Sequence, residues 1–308
     1  MSDISAAQVK ELRDRTGAGM MDCKKALAAT VGNIDEAIQW LRTKGLAAAA
    51  KKAGRVAAEG LVAVAVDETA GAIVEVNSET DFVARNETFQ ELTRAIAKAA
   101  LSAGGDYEVT TSAAYPGGAG TVTEAVNSMV GTIGENLRFR RSTGLKVEKG
   151  MVAHYIHSTV VPGMGKIAVL VALESEGDAG KLAELGKQLA MHVAATSPQS
   201  VTVAGLDPAV VERERKVYSE QAKESGKPDN IAAKMVEGRL RKFYGEAVLM
   251  EQLFVMNNET KVEKAIEEVT QEIGAPIVVT GFARFALGEG IDKREDDFVT
   301  EVLAAQGN

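Results

Sequence analysis

The chain has 308 residues, 45% of them hydrophobic, and its 35 Lys and Arg against 43 Asp and Glu give a net charge of −8. This length can bury more than one core, about two domains' worth, while the longest apolar stretches, such as residues 46–50 and 167–173, fall far below the ~18 needed to cross a bilayer. The opening residues lack a basic-then-apolar leader pattern, so a globular chain, cytoplasmic and without a membrane partner, is expected.

Three short helices open the chain. Ser5 to Gln8 has capping-box spacing for a helix running to about Arg15, residues 20–31 read as a second helix stopped by Gly32, and Asn33 to Glu36 repeats the spacing before a third ending near Gly45. The Ala- and Lys-rich residues that follow, to 58, read as a helical linker. Cys23 is the only cysteine; it rules out an intrachain disulfide and a thiolate zinc site and reads as a buried small hydrophobe. Residues 1–58 hold 10 Lys and Arg against 6 Asp and Glu, which leaves −12 on the remainder. The acidic body disfavours DNA and RNA, while the basic opening could meet an acidic protein face or RNA.

Strands at 60–66 and 72–76 follow, and Phe89, Leu92, Ile96 and Leu101 mark a helix over 87–101. Between them Glu79-Thr80-Asp81-Phe82-Val83-Ala84-Arg85 forms an acidic-aromatic tip at a strand-to-helix junction, where a rigid support presents side chains at a surface. Read alone, Asp81 is a helix N-terminal carboxylate and Phe82 a core-edge aromatic; read as a contact, the pair is built for insertion. Residues 102–120, with Gly104, Gly105, Pro116, Gly117, Gly118 and Gly120, read as a flexible connection. Strands at 150–157 and 166–173 and a helix at 179–195 then echo the first set, which predicts an α+β fold of two related subdomains. The second copy has Glu174-Ser175-Glu176-Gly177-Asp178 where the first has the tip. The first copy is therefore the expected functional face.

Asp207-Pro208 opens a long charged helix, Ser225 to Pro228 turns the chain, and Asp229 caps a return helix to about Leu249. In this hairpin, a coiled coil projecting into solvent, Val217, Tyr218 and Ala222 are expected to pair with Met235, Leu240 and Phe243. A helix at 262–273 precedes a strand at 277–287. Residues 294–304 are expected to form a terminal helix with an apolar stripe of Phe298, Val302 and Leu303.

Catalytic chemistry finds no foothold. Gly163-Met164-Gly165-Lys166 is followed by Ile167, without the hydroxyl of a phosphate loop. His154 and His157, three apart on a strand, point to opposite faces and cannot share a metal, and His192 stands alone. Asp296-Asp297 reads as helix N-terminal charge rather than an acid–base pair. No catalytic residue, metal or cofactor is expected.

Six segments in chain order carry a family resemblance: residues 12–27, the tip at 75–85, Ile133-Gly134-Glu135-Asn136, Met191-His192-Val193-Ala194-Ala195, Lys234-Met235-Val236-Glu237-Gly238-Arg239 and Thr280-Gly281-Phe282-Ala283-Arg284-Phe285. Together they resemble bacterial elongation factor Ts over nearly the whole chain. The resemblance implies a ubiquitin-associated-like helical domain at 1–50, a linker at 51–58 and core subdomains at 59–145 and 146–290. The second of these carries the hairpin at about 207–249, and a C-terminal helical module occupies 291–308. It implies a nonenzymatic guanine-nucleotide exchange factor for the GTPase elongation factor Tu. Thr80, Asp81, Phe82 and Val83 would contact the GTPase and disturb its magnesium site, with Phe82 as a wedge and Asp81 fixing the tip by polar contacts. Arg13, Met20 and Met21 would dock the N-terminal helices, Ile133 and Gly134 would add a contact near the wedge, and His157 would meet a more distant part of the partner. Without the resemblance, Ile133, Met20 and Met21 read as core packing. The alternative function is an interaction scaffold or chaperone in which the tip is only structural.

Overall fold

The computed structural model describes residues 4–16, 18–118, 120–224 and 228–292. Three helices come first: α1 (Ala6–Thr16), α2 (Met20–Ala29) and α3 (Ile34–Lys52). Ser5 and Gln8 form the expected reciprocal cap, the Ser5 hydroxyl accepting from the Gln8 N–H and the Gln8 Oε1 from the Ser5 N–H. Asn33 caps α3 by accepting from the backbone of Asp35 and Glu36. Leu12, Cys23, Ala26, Leu27 and Ala37 close a small core between them, and burial pushes the Cys23 thiol above its ordinary pKa.

Two sequence expectations fail along α3. The helix does not end near Gly45 but runs to Lys52, and residues 53–58 are not a helical linker. Gly45 is retained inside the helix for packing: a Cβ there would stand 3.1 Å from the Ser128 Cα, so glycine is what lets α3 lie directly on α6 (Val122–Ile133). Ala48 and Ala49 of α3 then pack on the core of the following domain. One helix thus belongs to both the N-terminal bundle and the body.

The body is α+β, built from two sheets. β1 (Glu59–Val66), β2 (Ala70–Ser78), β3 (Arg138–Lys146) and the short β5 (Met164–Gly165) make the first, in the order β3-β2-β1-β5; β4 (Gly150–His157), β6 (Ile167–Glu174) and β7 (Val278–Ala286) make the second, in the order β4-β6-β7. Every pairing is antiparallel. Val62 and Ile73 of one sheet meet Val152, Leu170 and Ala172 of the other in a shared core. Helix α4 (Glu87–Ser102) covers the outer face of the first sheet through Phe89, Leu92 and Ile96, and α7 (Ala179–Thr196) covers the second through Leu182, Leu185 and Leu189. The result is four layers, helix, sheet, sheet, helix.

The duplication seen in the sequence extends to detail. Each copy is a three-stranded unit, and its second and third strands carry one bulge, between Glu75 and Val76 or between Ala172 and Leu173. Each has a glycine of matching conformation at the start of its first strand, Gly60 as the second residue of β1 with φ 117° and Gly150 as the first of β4 with φ 118°; a Cβ would stand 2.2 Å from the Val76 carbonyl oxygen in the first and 2.1 Å from that of Leu173 in the second. Gly60→Ala and Gly150→Ala are each expected to cost about 2–4 kcal/mol in urea unfolding, since both the left-handed φ and the backbone overlap must be relieved. Gly54→Ala, where a Cβ meets nothing within 4 Å, serves as the neutral control.

The described residues of the 102–120 stretch are not an unstructured connection. Asp106 caps α5 (Tyr107–Ser112) by accepting from the Val109 N–H at 2.8 Å, the Tyr107 hydroxyl donates to the Phe139 carbonyl at 3.2 Å, and Gly105, with φ 84°, lies against the Gly144 backbone too closely for any Cβ. Helices α8 (Pro208–Glu224) and α9 (Asp229–Ala247) form the expected hairpin. Its seam differs from expectation: Ala222, Val236 and Leu240 are buried with Tyr218 beside them, whereas Val217 is exposed and Phe243 packs at the hairpin base with Leu206 and Val248. Residues 225–227 of the expected turn, the whole of the expected 294–304 helix and everything beyond residue 292 of the 291–308 module lie outside the described residues. Helix α10 (Val262–Ile273) packs against α7. Among the described residues no helix is long and apolar enough to cross a membrane.

His192, on α7, is fully buried. Its Nε2 lies 2.8 Å from Gln252 Oε1, and its Nδ1 accepts from the Val255 N–H at 3.3 Å, a pattern that suits the neutral ring with the proton on Nε2. Burial lowers its pKa against the opposing effect of the Gln252 bond. The unfolded chain therefore binds this proton more readily, so the contribution is present above the unfolded value of ~6.5 and is lost as pH falls below it. The melting temperature is expected to fall between pH 7 and 5, and the fall to be shallower in His192→Gln.

Candidate partner-binding tip

The chain leaves β2 at Ser78 and enters α4 at Glu87, and a series of short-range bonds shapes the interval. The Ser78 hydroxyl donates to the Thr80 carbonyl at 2.8 Å. The N–H groups of Ala84, Arg85 and Asn86 bond the carbonyls of Asp81, Phe82 and Val83, closing a 3₁₀ turn, and the Asn86 side chain then caps α4 by accepting from Thr88 and Phe89. Val83 and Ala84 point into the core beside Phe89 and Leu92, and the buried Gln90 amide holds the Ala84 carbonyl at 2.9 Å. Phe82 is 76% exposed in an unstrained conformation, φ −61° and ψ −35°. An aromatic ring is thereby held away from any core on a turn that its neighbours anchor.

Within the tip, Val83 is only 6% exposed, because the turn directs it inward as the tip's root. The Asp81 side chain is exposed, and the polar bonds that hold the turn come from elsewhere. Glu135, just past α6, accepts from the Thr80 N–H at 2.9 Å and from the Thr80 hydroxyl at 2.6 Å. In return Glu79 accepts from the Asn136 N–H at 2.5 Å, while the Asn136 amide donates to the Arg55 carbonyl at 2.7 Å. Residues 79–80 and 135–136 thus clamp each other.

That clamp brings Ile133 and Gly134 to the same surface as the tip. Ile133 is half-buried against the core; Gly134 is exposed and ends α6 in the left-handed conformation, φ 86°, its carbonyl accepting from Lys52. Met20 and Met21 are 62% and 64% exposed on α2, and Arg13 is exposed on α1, so none of the three is a core residue. His157 is exposed at the end of β4, its Nδ1 3.2 Å from the Tyr155 hydroxyl. Among the described residues no group of three or more His, Cys, Asp or Glu could hold a metal.

Behind the tip the inner face of β2 carries a buried carboxylate. Glu75 is fully buried and meets Arg140 Nη1 at 3.0 Å and Arg141 Nε at 2.5 Å; Asn77 Nδ2 and the Gly288 N–H also donate to it, at 3.0 and 2.8 Å. Burial alone would raise its pKa, but the bonds from Asn77, Gly288 and Arg141 outweigh it and hold the carboxyl below its usual range. Gly288 follows β7, so this knot ties the end of the second sheet to the middle of the first.

Sequence reasoning missed Glu75, Glu79, Glu135 and Asn136 as working residues. All four lie in segments that carry the resemblance, 75–85 and 133–136, but no role could be read for them, since the clamp joins positions 55 apart in the chain.

A duplicated α+β body that presents an exposed aromatic on a clamped turn, in only one of its copies, offers a candidate contact surface for another macromolecule. The family model for elongation factor TS matches residues 79–289. Elongation factor Ts of Parvibaculum lavamentivorans is 61% identical over 99% of both chains, that of Rhodospirillum rubrum 59% over 99% of both, and that of Rhodospirillum centenum 57% over the full length of both. The chain belongs to the elongation factor Ts family and is a translation elongation factor.

Proposed function

We propose that this protein is the guanine-nucleotide exchange factor of elongation factor Tu, acting in the cytoplasm without catalytic chemistry of its own. The observation that carries the reading is Phe82: 76% exposed, yet rooted through Val83 in the core and held through Thr80 by Glu135. Such a side chain loses little freedom on insertion, so its apolar transfer is available to shift the partner. Phe82 would enter an apolar slot of the GTPase and displace the elements that hold magnesium and phosphate. The exposed Asp81 carboxylate, as distinct from the Asp81 carbonyl that closes the turn, is available to the partner. Loss of the metal removes a large positive charge beside the phosphates and weakens nucleotide retention. Coupling is reciprocal: a factor that weakens GDP by ~10⁴ is itself weakened by returning nucleotide to the same degree, about 5.5 kcal/mol on either leg.

The other contacts fit this reading. The first three helices act as a ubiquitin-associated-like docking module through Arg13, Met20 and Met21, methionine side chains being adaptable anchors. Ile133 and Gly134 extend the tip's surface, His157 serves the second subdomain, and the hairpin projects as a coiled coil. Replacing Met20 and Met21 together by Ala is expected to weaken the complex by roughly 1–3 kcal/mol in calorimetry with the melting temperature unchanged. Release of labelled GDP from purified elongation factor Tu, with and without the protein, tests the function itself. Acceleration that falls as magnesium is raised is the expected result, and a release rate indifferent to the protein would refute it.

A further inference from the structure

Resting on the exchange reading, we propose that Glu135 is a positioning residue for Phe82, acting through Thr80. The duplication supplies an internal control. Helix α6 ends at Gly134 with φ 86°, and α10 ends at Gly274 with φ 67°; in each the glycine N–H bonds the carbonyl four residues back, Val130 or Thr270. In the first copy β3 then begins at Arg138, and in the second β7 begins at Val278, the same spacing from the glycine. An apolar residue precedes each strand, Leu137 buried and Ile277 packed on its own core. Between glycine and apolar residue the first copy has Glu135-Asn136 and the second has Ala275-Pro276. The connection therefore folds without a carboxylate or an amide.

The difference tracks the tip. In the first copy eight residues, 79–86, separate β2 from α4; in the second only residues 175–178 separate β6 from α7. The copy with the short junction has no Thr80 to hold, and it has no glutamate to hold it. Where the tip exists, both oxygens of Glu135 are used on one residue, at 2.9 and 2.6 Å. A bidentate grip on Thr80 fixes the backbone two residues before Phe82, and charge-assisted bonds of this kind are short and directional. The reciprocal bond from Asn136 to Glu79 closes the other side. A loosened wedge would still be present but would spend less time in the geometry that deforms the partner, and a misplacement of ~1 Å can cost ~100-fold in rate.

The test uses the full chain and two readouts. Glu135→Ala, the residue type found at the equivalent place in the second copy, is expected to stay folded, melting within ~5 °C of wild type. At saturating factor, GDP release should slow by at least ~10-fold, with the half-saturating concentration changed by less than ~3-fold. In a Phe82→Ala background the same change should add nothing. Independently of any GTPase, Glu135→Ala in a Phe82→Trp,Trp40→Phe reporter should lower the anisotropy of the single indole and increase its collisional quenching. Glu135→Gln, which keeps one acceptor oxygen, should recover part of both. An unchanged reporter signal would overturn the proposal, as would a wild-type release rate in Glu135→Ala where Phe82→Ala is inactive. If Phe82→Ala also releases GDP at the wild-type rate while the reporter loosens, the clamp stands and the exchange reading falls.

Discussion

Phe82→Ala is expected to remove most of the acceleration of GDP release while leaving the melting temperature close to that of the wild type. The two halves of this result come from one geometry. With 76% of Phe82 exposed, little apolar area returns to water on truncation, so the stability cost is small. An aromatic buried at the centre of an interface, by contrast, carries ~2 kcal/mol or more, roughly 30-fold in rate or affinity. Val83→Ala should behave in the opposite way. It removes buried methyl groups from the first core and should cost about 1–3 kcal/mol of stability, with the surviving folded fraction still active. Stopped-flow release of a fluorescent GDP analogue, paired with urea unfolding, separates the two. A wild-type rate from folded Phe82→Ala would remove the wedge from the mechanism.

Glu75→Ala should be the most damaging substitution in the body, at about 3–5 kcal/mol in urea unfolding, because it strips the shared partner from two half-buried guanidinium groups and from the Asn77 amide and Gly288 N–H. The loss should be felt as separation of the sheets, since those donors come from β2, β3 and the turn after β7. The pH dependence follows from the depressed carboxyl. Its stabilising contribution is present above the unfolded carboxylate value of ~4.3 and disappears as pH falls through the lower folded value. Acid unfolding of the wild type should therefore be steeper than that of Glu75→Ala. Equal acid slopes would show that the pairing contributes nothing net.

The repeated strand-strand-helix units, the capped first helices and the exposed tip were legible because each rests on local rules: period two, period 3.6, and caps within four residues. What escaped depends on distance. Gly45 looked like a helix stop, since glycine costs ~1 kcal/mol inside a helix, and only the approach of α6 from far along the chain explains its retention. Residues 102–120 looked loose for the same reason: Gly105 is dictated by a strand it meets in space. Along α8 and α9 a small angular error was enough to select Val217 and Met235 for a seam that Ala222, Val236 and Leu240 form. At the tip, residue types alone could not tell that Val83 points inward while its neighbour points out. Nor could they pair Glu135 with Thr80.

Helix α3 changes how the protein should be dissected and what the proposed docking would cost. Were the first three helices tethered by a flexible string, their contribution to affinity would be diluted by the volume the string allows them to explore. A continuous helix lying on α6 through Gly45 sets the span between the methionine face and the tip when the chain folds. On the proposed exchange reading the ordering entropy would then be spent before the partner arrives, and the two contacts would act as a calliper of set opening rather than as two hooks on a line. A truncation that removes α1 and α2 but keeps α3 would test affinity, whereas one that cuts through residue 50 would also strip Ala48 and Ala49 from the core and report on stability instead.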